Sequence, residues 1–85
     1  MTSEELLQFP CDFPLRIMGV ACPELLDDVM STIQKHAPGD YQPQVHASAK
    51  GNYHAIRVTI RATSREQLDA LYHELVSLKH VKVVL

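Results

Sequence analysis

The sequence predicts a single α+β domain with the element order βαββαβ. Three observations predict it: polar and apolar residues alternate in four segments, two other segments repeat apolar residues at helical spacing, and turn residues separate most of them. A chain of 85 residues is one domain, near the lower size limit for a stable hydrophobic core. We expect this domain to cover residues 11–85, after a flexible lead-in segment at residues 1–10.

The first strand is predicted at residues 13–18 and ends at Gly19. A helix then starts at Pro23, because proline suits the first helical turn and acidic residues follow it. Pro38 and Gly39 end the helix, since proline disfavours helical geometry in the residue before it and glycine accepts the turn that follows. The apolar positions of the strand are Phe13, Leu15 and Ile17.

A β-hairpin is predicted in the middle of the chain. Residues 52–63 alternate between an apolar and a polar face, and residues 41–49 form a more polar partner strand. Pro43 has no backbone N–H to donate, so the partner strand belongs at a sheet edge. Lys50 and Gly51 are typical of a two-residue hairpin turn. The register that follows pairs Val45 with Ile56 and Gln44 with Arg57.

The last helix and strand complete the fold. Ser64, with Gln67 three residues later, is a capping box at a helix start. Residues 80–85 form the final strand. Two split βαβ units with right-handed crossovers then give an antiparallel sheet of order 4-1-3-2 with both helices on one face, which is the ferredoxin-like sandwich. The residues expected on one side of the last strand are Val81, Val83 and Leu85.

Composition narrows the functional classes. The formal net charge is −2 and the apolar and charged fractions are ordinary, so neither disorder nor general nucleic-acid affinity is indicated. No apolar run reaches the roughly 18–20 residues of a membrane span, and the acidic N-terminus is unlike a signal peptide, so we expect a cytoplasmic protein. Cys11 and Cys22 lie at opposite ends of the first strand, too far apart for a disulfide, and are expected to be reduced.

The sheet face turned away from the helices is the candidate binding surface. It is basic on a protein of slightly negative charge, so an anionic metabolite or a partner protein would dock there. The alternative is a sheet face that simply contacts water. The predicted site residues are Arg16, Gln44, His46, Tyr53, Arg57, Arg61 and Lys82.

The residues do not predict an enzyme, a metal site or a cofactor. The five histidines lack ligand spacing, and no histidine is placed beside Cys22, although a helix start favours a thiolate. The turn at residues 49–52 joins two strands and has one glycine, unlike a phosphate-binding loop. Acylphosphatases share the predicted fold, but the loop at residues 19–23 lacks their arginine.

Two further hypotheses concern partners. Nucleic-acid binding is the alternative function, although single-stranded RNA needs two or three stacking aromatics and only Tyr53 lies on this face. A homodimer is expected through residues 81–85, an apolar edge strand that only Lys82 protects from pairing. The charges that would bind nucleic acid are Arg16, Arg57, Arg61 and Lys82.

Five short motifs carry a family resemblance: Phe9-Pro10, Met18-Gly19, Pro23-Glu24-Leu25, the run His36 to Tyr41, and the hairpin Lys50 to His54. They resemble the YbeD family of small bacterial proteins over nearly the whole chain. Ala49 and Ala55 stand where relatives tend to have serine. The resemblance implies a fold similar to the ACT domains, which sense small molecules in metabolic enzymes. On this basis we expect a non-enzymatic regulatory or binding module that acts through a partner protein or a small anionic metabolite.

Overall fold

The computed structural model describes residues 8–85. The elements are β1 (Cys11–Val20), α1 (Pro23–His36), β2 (Gln44–Ala47), β3 (Tyr53–Ala62), α2 (Arg65–Ser77) and β4 (Val81–Val84). The strands form one antiparallel sheet in the order β2-β3-β1-β4, which confirms the predicted ferredoxin-like topology. Residues 1–7 of the lead-in segment lie outside the described part. Within it, neither helix has the length and apolar character needed to cross a membrane.

The hydrophobic core lies between the helices and one face of the sheet. Both β1 and β3 alternate buried and exposed residues, and the apolar stripes of both helices cover the buried set. Burying a leucine, isoleucine or valine side chain contributes about 1.5–3 kcal/mol, so this layer dominates the stability. Its largest fully buried members are Leu15, Ile17, Leu25, Val29, Ile33, Ile56, Ile60, Leu71 and Leu75.

The predicted capping residues Ser64 and Gln67 both bond the start of α2, although Gln67 bonds the residue before the N-cap, and they also join the two helices. Ser64 Oγ accepts a hydrogen bond from the Gln67 backbone N–H at 3.0 Å. The Gln67 side chain accepts from the Thr63 backbone N–H at 2.7 Å and donates to the His36 carbonyl at 2.9 Å. The start of α2 is therefore bonded to the end of α1.

Strand β1 does not end at Gly19, as the sequence predicted, but continues to Val20. A Cβ atom on Gly19 would lie 2.4 Å from the His80 carbonyl oxygen and 2.5 Å from Leu25 Cδ1. The glycine is therefore needed for close packing of the strand against α1 and the β4 turn, not for ending the strand.

The hairpin has the predicted register but a different turn. Strand β2 is shorter than residues 41–49, and its pairs of Gln44 with Arg57 and Val45 with Ile56 are those expected. The Ser48 N–H donates to the Tyr53 carbonyl at 2.8 Å, so the loop spans residues 49–52 and is longer than two residues. Gly51 has φ of 74°, which explains glycine in this loop.

A β-bulge changes the last strand. Val83 lies opposite Met18 and Val81 lies opposite Gly19, so Lys82 has no partner in the ladder. One extra residue reverses the alternation of faces. Val81 is therefore buried against the helices while Val83 is 42% exposed, and the prediction that Val81, Val83 and Leu85 share one side is wrong.

Candidate functional site

The face of the sheet away from the helices, called here the open face, carries two rows of side chains that run across the sheet from β2 to β4 or to Leu85, the residue that follows β4. In both rows, residues on neighbouring strands are direct partners in the ladder. Leu85 joins its row through hydrogen bonds of 2.7 Å and 3.2 Å with the backbone of Arg16. The arginine row consists of Gln44, Arg57, Arg16 and Leu85. The methionine row consists of His46, Ala55, Met18 and Val83.

Arg16 and Arg57 lie directly opposite each other at the centre of the sheet, and both are exposed. Among residues 8–85, no carboxylate lies within salt-bridge distance of either guanidinium. Like charges directly opposite on neighbouring strands destabilise a sheet. The sequence therefore places an unfavourable pair of cationic residues side by side, where both could contact one anion.

Arg61 has a different environment from the other two arginines of the open face. Its Nη1 lies 3.3 Å from Asp12 Oδ1, and the two residues are partners across β1 and β3. Its charge is thus partly compensated within the protein. The structure therefore separates Arg61 from the Arg16–Arg57 pair, although all three were predicted as site residues.

Two connected depressions lie over these rows. One of about 770 Å³ extends from the arginine row towards Pro14 and Thr59. The other, of about 360 Å³, lies over the methionine row and is mainly apolar. Both contact Arg16, Arg57 and Leu85. The site therefore combines cationic groups with an adjoining apolar surface.

The segment at residues 40–42 forms one wall of the larger depression, and Gly39 precedes it. The Gln34 side chain fixes it through two hydrogen bonds with the Gly39 backbone, at 2.6 Å and 3.0 Å. The Tyr41 hydroxyl accepts from the Arg61 backbone N–H at 3.2 Å, in the part of β3 that extends past the start of β2. Asp40 also lines this depression and contributes a negative charge to its rim. The His36 to Tyr41 motif thus shapes the site.

The other predicted site residues are more peripheral. Gln44 lines the larger depression and His46 the smaller one. Tyr53 lies at the start of β3 opposite Val20, and Lys82 is exposed in the bulge of β4. Neither Tyr53 nor Lys82 lines the two depressions.

A second group of reactive side chains lies at the start of α1 and was missed by the sequence analysis. The ligand atoms of Cys22, Glu24 and His80 all lie within 4.8 Å of one another. Cys22 and His80 are half-buried and Glu24 is exposed. No spacing pattern could reveal this group, because the turn before β4 brings His80 to α1 from the far end of the chain.

The electrostatics of this group favour a charged carboxylate. The backbone N–H at the helix start, the Cys22 thiol and the nearby His80 all lower the pKa of Glu24 from its usual value. The backbone hydrogen bond is the largest of these effects. A thiol, an imidazole and a carboxylate held together are a set of metal-ligating groups.

The comparisons with solved structures support the fold. The ACT domain of the GTP pyrophosphokinase of Chlorobium tepidum superimposes with a TM-score of 0.63 and 20% sequence identity, covering 88% of this chain and 97% of that domain. Protein HP0495 of Helicobacter pylori gives a TM-score of 0.71 at 14% identity, covering 100% of this chain and 94% of that one. At these identities the likeness concerns the fold alone.

The comparisons with related sequences show the family. The family model described as "Protein of unknown function (DUF493)" matches residues 4–85. A UPF0250 protein of Photorhabdus laumondii is 56% identical, and one of Edwardsiella ictaluri is 54% identical, each over 95% of this chain and 93% of the relative. The chain therefore belongs to the DUF493 or UPF0250 family, which is the YbeD family that its motifs resemble.

Proposed function

We propose that this protein is a non-enzymatic regulatory module that binds a small anionic metabolite on the open face. One observation carries the proposal: Arg16 and Arg57 face each other at the centre of the sheet without a carboxylate partner among residues 8–85. Local arrangements that oppose stability are typical of functional sites. A bound anion would replace the repulsion between the two guanidinium groups with two attractive contacts.

The depressions indicate what the ligand looks like. A guanidinium group binds a carboxylate or a phosphate through two parallel hydrogen bonds, so either group would suit the arginine pair. The adjoining surface of Met18, Ala55 and Val83 would contact an apolar part of the same molecule. Its volume of about 360 Å³ falls at the lower end of the roughly 300–1,000 Å³ that small-molecule sites occupy.

The regulatory part of the proposal has support from the comparisons. A domain of the same fold is the ACT domain of a GTP pyrophosphokinase. Fold likeness does not transfer a ligand, and the open-face residues of this chain are the basis for the ligand class. We propose the cytoplasm as the place where the module meets its metabolite.

The test is capture of metabolites from the native cytoplasm on the immobilised protein, with mass spectrometry of the eluate. We expect an anionic metabolite to be enriched by the wild type and lost with the Arg16→Gln/Arg57→Gln variant. The control is Arg61→Gln, which removes one positive charge from the same face, at a residue that already pairs with Asp12. An eluate that does not change in the double variant would contradict the proposal.

The nucleic-acid alternative has less support from the geometry. Tyr53 stands at the start of β3, away from the arginine row, and Asp12 partly compensates Arg61. The same experiment distinguishes this alternative, because RNA would be retained in a strongly salt-dependent way and would be found in the eluate instead of a single metabolite.

A homodimer through β4 stays a proposal. The strand is at the edge of the sheet, as expected, and Leu85 is 65% exposed. The bulge at Lys82 interrupts the edge, and bulges of this kind oppose strand pairing between molecules. Light scattering over a range of concentrations tests the dimer, with Val83→Lys as the variant that should dissociate it.

A further inference from the structure

We propose that Cys22, Glu24 and His80 bind a divalent transition-metal ion, with Zn²⁺ as the best match. Cys22 and Glu24 lie at the start of α1, and His80 reaches them from the turn before β4. The site is separate from the open face, since none of the three residues lines either depression there.

The distances fit closure around one ion. All three ligand atoms lie within 4.8 Å of one another. Ligand atoms of a tetrahedral Zn²⁺ site stand roughly 3.5 Å apart, given metal–ligand bonds of about 2.0–2.3 Å. The remaining approach is at most about 1.3 Å, which is within the reach of side-chain rotation, above all for the exposed Glu24.

Two of the ligands stand on fixed backbone. The His80 carbonyl accepts a hydrogen bond from the Val20 N–H at 2.9 Å, so the turn before β4 is held against the end of β1. Cys22 is the N-cap residue of α1, and its carbonyl accepts from the Leu25 N–H at 3.2 Å. Metal sites need this kind of support from rigid elements.

Cys22 is an unusual residue for its position. Serine, threonine, aspartate and asparagine are preferred at the N-cap because their side chains bond the first helical N–H groups. The Cys22 side chain makes no such bond. It instead lies beside Glu24 and His80, so the position gives up a capping interaction while holding a thiol next to two other ligands.

The types of ligand identify the class of ion. Thiolate and imidazole suit Zn²⁺ and other transition metals, whereas Ca²⁺ and Mg²⁺ prefer oxygen ligands. The start of a helix also favours a negatively charged ligand. Three protein ligands leave a fourth position for water or for a group from a partner molecule.

The experiment titrates the reduced full-length protein with Co²⁺ and records the thiolate-to-metal charge-transfer absorption. We expect one Co²⁺ per chain, displaced by Zn²⁺. Cys22→Ser should abolish the absorption, and His80→Ala should weaken Co²⁺ binding at least about tenfold. The matched control is Cys11→Ser, which removes the other half-buried thiol at the far end of β1 and should change neither readout.

Absence of Co²⁺ binding to the wild type, or a charge-transfer band that survives in Cys22→Ser, would overturn the proposal. A second measurement avoids dependence on the folding of a variant. In the wild type, Zn²⁺ should slow alkylation of Cys22 at least about tenfold and leave Cys11 unaffected, as measured by mass spectrometry of peptides. Equal alkylation of Cys22 with and without Zn²⁺ would contradict the site.

Discussion

The two faces of the sheet differ in how well their side chains are buried and paired, although the same strands supply both. On the helix side, residues such as Ile17, Ile56 and Leu71 are fully buried, and every buried side-chain polar atom among residues 8–85 has a hydrogen-bond partner. On the open face, Met18 is 45% exposed and two arginines oppose each other without a counter-ion in the same part of the chain. The helix side meets the requirements of stability, and the open face departs from them.

That contrast indicates which face is free to bind. A buried face is fixed by close packing, so its residues have little freedom to serve another purpose. An open face of an antiparallel sheet can carry residues that do not contribute to stability. The arginine pair goes further, because it opposes stability, and this is why we place the ligand there.

The largest difference in the free energy of unfolding is expected between substitutions of two consecutive residues of β1. Ile17→Ala leaves a cavity in the core and should lower the free energy of unfolding by about 2–5 kcal/mol. Met18→Ala lies on the open face and should change it by no more than about 0.5 kcal/mol. Urea denaturation of both variants measures the difference. Equal losses would mean that Met18 is covered in solution.

The next largest effect on stability is expected at Gly19, where β1 lies close to the His80 backbone and to Leu25. Gly19→Ala should lower the free energy of unfolding by roughly 1–3 kcal/mol, because the new Cβ would overlap the His80 carbonyl oxygen, which is backbone and cannot move freely. The control is Gly51→Asn, whose position is open and has a positive φ that asparagine tolerates. Thermal unfolding of the two variants should separate them clearly. A wild-type melting temperature for Gly19→Ala would contradict this packing.

A smaller change in the free energy of unfolding, of opposite sign, is expected for a substitution on the open face. Arg57→Gln should raise the free energy of unfolding of the ligand-free protein by about 0.2–1 kcal/mol, because it removes the repulsion from Arg16. The gain should shrink as salt is added, since ions screen exposed charges. Arg61→Gln, which removes an attraction to Asp12, should give no gain. Urea denaturation at low and high salt tests both variants, and a loss of stability in Arg57→Gln would argue against unpaired arginines.

The smallest effect concerns an ion pair between the helices. Hydrogen bonds from His36, which has the larger effect, and from Lys35 lower the pKa of Glu74 below its usual value. A carboxyl group whose pKa is lower in the folded than in the unfolded protein stabilises the fold at pH values above its unfolded pKa of about 4.5. This stabilisation is lost as the pH falls through the folded-state pKa. Glu74→Gln should therefore be less stable than the wild type near neutral pH and equal to it in strong acid. A difference in the free energy of unfolding between the wild type and Glu74→Gln that is the same at every pH would contradict the ion pair.

The sequence predicted most of the fold because local patterns carried it. Alternation in β3 identified its buried face, and the Ser64 capping box located the start of α2. Gln44 opposite Arg57 followed from the hairpin alone. The bulge at Lys82 was missed because it depends on how β4 fits against β1, for which residues 80–85 contain no local signal.

The candidate sites were predictable to different degrees. The open face followed from strand alternation, and Arg16 and Arg57 were named from the sequence. That Asp12 pairs with Arg61 required the register between β1 and β3, which are joined through a helix and another strand. The group of Cys22, Glu24 and His80 was hidden altogether, because contacts between distant segments leave no trace in spacing.

The element order, the buried face of each long strand and the basic character of the open face follow from local patterns of residues, since periodicity and turn chemistry act over a few neighbouring residues. The pairing of Arg61 with Asp12, the lack of a counter-ion at Arg16 and Arg57, and the position of His80 beside Cys22 depend on how the elements pack together. The two kinds of information differ in how far apart along the chain the interacting residues lie. Hydrophobic patterning is a local property of the chain, whereas charge pairing and metal-ligand geometry depend on distances that exist only after the sheet and helices have packed together.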